Sequence, residues 1–366
     1  MEALPVRDPT DVATARRRVV GLAAGLGYNE TQGGRVAIVV TELAQNLLRH
    51  GGGGELLVGA DPHWPSGIEI MALDRGAGMA DVAACLRDGY STGGTSGNGL
   101  GAVKRLADEV LIHSVRGSGT AVLVRMGREV ASGAGRIIGS GAGRTIGSGA
   151  GRTIEPGAAR TIEPGAARTI GSGTPRTTAV LCVPKSGETV CGDAAAIVVR
   201  ADGTIGVLLA DGLGHGPHAA AASLEATRLF QKHLEAKPAA ALAILHAGLR
   251  PTRGAAVATA SIDPVARRVT YGGIGNIAGF ITDTGGTRRM VSHSGTAGHT
   301  AGRMQEFHYP IHNRPVLVMF SDGLTTSWSP EGHPGLFVLD PTLIAGVLYR
   351  DHARGRDDAS VVVWKG

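Results

Sequence analysis

Two groups of residues in this 366-residue chain have the types and spacing for phosphate chemistry. The first is four aspartates at strand ends or turns: Asp193, Asp211, Asp322 and Asp357. They stand in the strings Cys191-Gly-Asp193, Asp211-Gly-Leu-Gly-His-Gly216, Ser321-Asp322-Gly323 and Arg356-Asp357-Asp358. Hydrolysis of a phosphate monoester at neutral pH needs an activated water and a neutralised dianion, which two divalent cations roughly 4 Å apart supply together. Carboxylates are the natural ligands of such hard cations. Asp211 and Asp322 each end an apolar run and precede glycine, which exposes the carboxylate and leaves the following carbonyl, such as that of Gly212, open to a metal. An isolated Asp-Gly marks a strand-ending turn, and Asp202-Gly203 is read as one such hairpin. His215 has two readings, a general acid beside the metals or a turn residue capping the next helix.

The second group lies earlier. Glu42 and Asn46 are four residues apart and share one face of a helix. An Asn oxygen can ligate Mg²⁺, and a Glu one turn away can orient or deprotonate a hydroxyl nucleophile. Such a pair is also ordinary on a solvated helix. Its neighbours make it specific. An apolar run over 68–73 ends in Asp74, a carboxylate able to accept from an adenine amino group, and Gly76 and Gly78 let backbone approach a ligand closely. Gly93, Gly94, Gly97, Gly99 and Gly101 then form a loop into a helix whose first amides can hold phosphates. Thr120 is read as a strand-capping residue with a possible approach to the same nucleotide.

Apolar periodicity supplies the elements that position these groups. In the front half, helices are expected over 11–26, 31–49 and 100–107, with strands over 56–60, 68–73, 110–114 and 121–125. They make a two-layer sandwich of helices on an antiparallel-leaning sheet. In the back half, strands are expected over 179–183, 194–200, 204–210, 256–262, 268–272, 279–282, 315–321 and 359–364. Two helices, over 217–235 and 239–248, interrupt them, which favours sheets covered by helices over a doubly wound parallel sheet.

Between the halves, residues 131–178 are six copies of an eight-residue unit such as Gly-Ser-Gly-Ala-Gly-Arg-Thr-Ile, with arginine at 136, 144, 152, 160, 168 and 176. Gly and Pro at this density do not bury enough apolar surface to offset ordering entropy, so the segment is read as a linker with an rms span of roughly 40 Å. The organisation is therefore 1–130, linker 131–178 and 179–366. Formal net charge is +5, and the six arginines and two glutamates of the repeat supply most of it. Neither half interleaves Lys and Arg runs with aromatics, so nucleic acid is set aside. Three cysteines, Cys85, Cys182 and Cys191, without metal-type spacing suit reduced thiols. With no basic leader and no long uncharged apolar run, the expectation is a cytoplasmic protein without a membrane partner. Oligomeric state is left open.

Residues 10–126 resemble the small serine kinases of bacterial partner-switching systems, the RsbT and RsbW type within the GHKL ATPase superfamily. The string Ser91-Thr-Gly-Gly-Thr-Ser-Gly-Asn-Gly-Leu-Gly is similar to the RsbT branch. The resemblance implies Glu42 as catalytic base, Asn46 as Mg²⁺ ligand, Asp74 as adenine contact, and Gly76, Gly78, Gly97, Gly99 and Gly101 around ATP. Residues 177–366 resemble the SpoIIE and RsbX type of metal-dependent Ser/Thr phosphatase, which implies an α-β-β-α sandwich. It also implies a Mn²⁺ or Mg²⁺ pair bridged by Asp211, with Asp193 and the Gly212 carbonyl on one ion, Asp322 and Asp357 on the other, and Asp358 orienting the site. Together these resemblances imply a bifunctional regulator acting on Ser or Thr of a STAS-domain antagonist or sigma-factor regulator. The alternative is a nucleotide-dependent anti-sigma binding module in which only the phosphatase is catalytic.

Overall fold

The computed structural model describes residues 1–61, 64, 66–85, 99–128 and 176–366. In the front half, helix α1 (Pro9–Gly25) and helix α2 (Glu30–His50) start at capping boxes, Asp8 with Asp11 and Asn29 with Gln32, that satisfy the first free amides. Strands β1 (Glu2–Val6), β2 (Gly54–Ala60), β3 (Ile68–Leu73), β4 (Glu109–Val115) and β5 (Gly119–Met126) form one antiparallel sheet in the order β1-β2-β3-β5-β4. A single turn α3 (Val82–Cys85) and helix α4 (Gly99–Leu106) complete it. Val19, Val36, Val40, Leu43 and Leu47 pack on Leu56, Ile68, Ile70 and Val122. This is the two-layer arrangement expected, with β1 an added edge strand.

The back half holds two facing five-stranded sheets. One runs β15-β10-β9-β8-β7, from β7 (Asp193–Val199), β8 (Ile205–Gly212), β9 (Ala255–Asp263), β10 (Arg268–Ile274) and β15 (Phe307–Pro310). The other runs β12-β11-β16-β17-β6, from β6 (Thr178–Val183), β11 (Ala278–Asp283), β12 (Gly286–Arg289), β16 (Val316–Phe320) and β17 (Ala359–Lys365). The short ribbon β13 (Gly295–Thr296) and β14 (Thr300–Ala301) stands apart. Leu209, Tyr271, Leu317, Met319 and Trp364 fill the space between the sheets. Helices α5 (Pro217–Lys232) and α6 (Pro238–Gly248) cover the first sheet through Phe230, Leu242 and Leu245. Helix α7 (Pro341–His352) covers the second, closing an α-β-β-α sandwich.

Helix α7 also covers the open face of the front sheet. One continuous apolar core contains Leu57, Met71, Leu73 and Leu123 of the front sheet, Leu343, Ile344, Val347 and Leu348 of α7, and Leu181, Val318 and Val361 of the back sheet. At its N-terminus, fully buried Arg125 of β5 donates to Asp340 at 3.0 and 3.1 Å and to Thr342 at 3.0 Å, as well as to Glu69 at 2.7 Å and Glu109 at 2.8 Å. At its C-terminus, Arg350 Nη1 donates to the Asp74 carbonyl at 3.2 Å and Arg75 donates to the Arg350 carbonyl. Arg176, in the last repeat unit, forks onto Asp61 at 2.8 and 3.0 Å, while residues 131–175 of the expected linker lie outside the described residues.

Candidate active sites

Helix α2 carries Glu42 and Asn46 on the side facing the start of α4. A Cβ on Gly99 would lie 3.3 Å from Glu42 Oε2 and 3.5 Å from Asn46 Oδ1, so the first turn of α4 sits directly over this pair. Asn46 Nδ2 is buried with no hydrogen-bond partner among the described residues, which fits a side chain meant to meet a ligand. Asp74 follows β3, and its Oδ1 accepts from the amides of Gly76 at 2.8 Å and Thr120 at 3.1 Å. Thr120 in turn pairs its hydroxyl with Ser114 at 2.9 Å, and the Ser114 oxygen accepts from the Met79 amide at 2.7 Å. Thr120 thus fixes the Asp74 carboxylate, a link that no local spacing reveals. Gly78 has φ +70°, and any Cβ there would stand 2.3 Å from the Val115 carbonyl. Gly101 is buried inside α4. Gly93, Gly94 and Gly97 lie outside the described residues.

In the back half, Asp193 and Asp211 are directly opposite across β7 and β8. The Gly212 amide donates to the Gly192 carbonyl, and a Cβ on Gly212 would fall 2.1 Å from the Ala219 carbonyl, so only glycine lets α5 begin there. The other two aspartates arrive on touching loops. A Cβ on Gly323 would meet the Asp358 carbonyl at 1.9 Å, and the Arg354 amide donates to the Gly323 carbonyl at 2.8 Å. Asp358 is buried and accepts from the Lys185 amide at 2.9 Å, while Asp357 accepts from the Asp358 amide at 2.9 Å. Asn276 ends the string Tyr271-Gly-Gly-Ile-Gly-Asn276, in which local spacing marks no site. In the structure Asn276 Nδ2 donates to Asp322 Oδ2 at 2.6 Å.

Electrostatics ties these carboxylates together. Burial first, then the charges of Asp322 and Asp357, push Asp211 up to about 7. Burial and Asp211 hold Asp193 well above the usual carboxylate range, and burial with Asp357 raises Asp322. Like charges crowded out of water want a cation. Asp193 Oδ2 is also buried without a hydrogen-bond partner. The donor set therefore fits divalent metal, although among the described residues no three His, Cys, Asp or Glu side chains already close to ligand spacing.

His215 does not cap α5. The N-cap is Gly216, with no side-chain hydrogen bond, and His215 Nδ1 instead meets Glu188 Oε1 at 2.7 Å. The capping alternative is thereby removed. Asp202-Gly203 is the hairpin turn expected, with Gly203 at φ +81° and Asp202 accepting from the Thr204 amide at 2.9 Å.

The Histidine kinase-like ATPase domain family matches residues 6–126, and the Stage II sporulation protein E (SpoIIE) family matches residues 201–365. Over 113 residues the chain is 34% identical to serine/threonine-protein kinase RsbT of Bacillus subtilis (strain 168), covering 31% of this chain and 85% of that protein. The chain belongs to the RsbT family. To that serine kinase domain it joins a Ser/Thr phosphatase domain of the SpoIIE type. Among solved structures, a chain of the bacterial stressosome aligns with TM-score 0.48 and 24% identity over 51% of this chain and 97% of its own. RsbX in complex with magnesium aligns with TM-score 0.44 and 19% identity over 51% of this chain and 94% of its own. No helix among the described residues is long and apolar enough to cross a membrane.

Proposed function

We propose that this chain is a bifunctional partner-switching regulator that phosphorylates Ser or Thr of a STAS-type antagonist with its front half and removes that phosphate with its back half. The observation that carries the reading is that one chain holds two separate clusters of candidate residues, Glu42 and Asn46 under Gly99, and the crowded Asp193, Asp211, Asp322 and Asp357. In the front half Glu42 would orient the partner's hydroxyl and take its proton, Asn46 would hold Mg²⁺, and Asp74, fixed by Thr120 and Gly76, would receive the adenine amino group. Gly76, Gly78, Gly97, Gly99 and Gly101 would let the backbone close on the nucleotide. ATP with Mg²⁺, when bound, supplies the phosphoryl group and the charge neutralisation for its transfer.

In the back half Asp193, Asp211, the Gly212 carbonyl, Asp322 and Asp357 would hold two Mn²⁺ or Mg²⁺ ions. Such a pair, when bound, activates water and neutralises the phosphoryl dianion. Asn276 would aim Asp322, and Asp358 would brace the turn through Lys185. His215, on the loop between Asp211 and α5, would give its proton to the departing Ser or Thr oxygen.

The test is ATP-dependent phosphorylation of a STAS-domain protein, followed by Mn²⁺-dependent release of that phosphate. Glu42→Ala is expected to bind ATP and partner yet transfer nothing, and Asp211→Asn to phosphorylate but never dephosphorylate. A wild-type chain that binds STAS partners with nucleotide but never transfers phosphate would replace the kinase reading with the binding-module one.

A further inference from the structure

Glu188 lies in the turn just before Cys191-Gly-Asp193, closed by its own amide donating to the Lys185 carbonyl at 2.9 Å. From there its carboxylate crosses to the loop after Asp211. Oε1 meets His215 Nδ1 at 2.7 Å, and Oε2 packs so tightly on Gly216 that a Cβ there would stand 3.1 Å away. An ionised carboxylate only accepts, so His215 Nδ1 must carry the proton in this contact. Gly214 at φ +91° and Gly216 at φ +71° bracket the histidine, a backbone course that side chains other than glycine rarely follow. The loop is thus shaped to turn the imidazole onto Glu188. The His215 side chain remains 45% accessible, and Nδ1, held on Glu188, leaves Nε2 as the nitrogen free to meet a substrate.

We propose that Glu188 is a positioning residue for His215, fixing its tautomer and ring direction so that Nε2 faces the oxygen leaving phosphorus. The proposal rests on the phosphatase reading above. In the step itself a water oxygen bonds to phosphorus while the bond from phosphorus to the serine Oγ breaks, its electron pair going to Oγ. The imidazolium proton on Nε2 moves to that Oγ, and the neutral imidazole is reprotonated through solvent by the proton the water gave up. Products are serine and inorganic phosphate. Proton donation matters most for a poor leaving group such as a serine alkoxide and least for a stabilised phenolate.

That difference sets the experiment. The full-length chain with Mn²⁺ is assayed on a phosphoserine peptide and on p-nitrophenyl phosphate, as wild type, Glu188→Gln, Glu188→Asp and His215→Gln. Because positioned general acids contribute about 10² to 10⁴ in rate, Glu188→Gln should lower kcat on the peptide relative to the aryl ester by about tenfold or more. His215→Gln should move the ratio further in the same direction, and Glu188→Asp should restore part of it. Equal losses on both substrates would overturn the proposal in favour of a brace between loops, and no change in the ratio would reduce the pair to a surface contact. A wild type inactive on both substrates, indistinguishable from Asp211→Asn, would instead remove the phosphatase reading and Glu188's role with it.

Discussion

Replacing Arg125 with methionine keeps much of the side chain's volume and deletes its charge at the junction of front sheet and α7. The guanidinium is fully buried and holds Glu69, Glu109 and Asp340, whose side chains are 5%, 43% and 12% exposed. Methionine would leave Glu69 and Asp340 as buried carboxylates without this partner, with Arg176 at 3.6 Å from Glu69 and Lys365 near Asp340 as remaining cations among the described residues. Removing one member of a buried ion pair costs about 3–5 kcal/mol. Against a usual stability of about 5–15 kcal/mol, that is a large fraction. The assay is urea unfolding followed by circular dichroism and by fluorescence of Trp364, buried between the back sheets, in a background where Trp64 and Trp328 are replaced by phenylalanine. Because the core is continuous through α7, both signals should move together to lower urea. A loss below about 1 kcal/mol, or a Trp364 transition left at its wild-type midpoint while the front half melts early, would refute the shared-core reasoning.

Other consequences are equally open to measurement. A Cβ on Gly346 of α7 would fall 1.9 Å from Met71 Sδ in the front sheet, so Gly346→Val should destabilise the chain by about 1–3 kcal/mol, read as a lower Tm. Gly78→Ala forces a side chain into φ +70° against the Val115 carbonyl, and ATP affinity measured by calorimetry should fall by roughly tenfold from the strain of about 1–3 kcal/mol. The pH dependence follows from Asp211. Its folded pKa of about 7 lies above the ordinary 3.8, so the folded state keeps the proton longer. Its contribution to stability in chelator should be full below pH of about 4 and be lost as pH rises through about 7, by roughly 4 kcal/mol. Adding Mn²⁺ at pH 8 should reverse the loss, and a flat pH profile in chelator would contradict the carboxylate crowding.

Local pattern carried most of the elements. The strands 56–60, 68–73 and 121–125 and the helix over 31–49 correspond to β2, β3, β5 and α2 because short apolar runs and a 3.6-residue stripe survive in the sequence. Helix α7 was missed for a physical reason. Nine of its twelve residues are buried, so no polar stripe marks its period. A signal did exist in the strands it covers. Every residue of β3 and β5 is buried, and their near-continuous apolar runs are those of strands covered on both faces. Strand β1 was missed as a short edge segment that includes Pro5. At the sites, the aspartates and the Glu42–Asn46 pair could be picked out because each sits in a contiguous string. Thr120 on Asp74, Asn276 on Asp322 and Glu188 on His215 span 46, 46 and 27 residues, distances at which spacing says nothing.

Because α7 is shared by both sheets, the relative placement of the two phosphate sites is set by packed side chains and not by the number of repeat units between them. Octapeptide copies can therefore be gained or lost while Arg176 stays on Asp61 and the packing around α7 is kept. The opposite holds for gene fission. Separating the halves at the repeat would strip Leu57, Met71, Leu73 and Leu123 on one side and Leu343, Ile344 and Val347 on the other of their cover, so each half cut free would expose a contiguous apolar face.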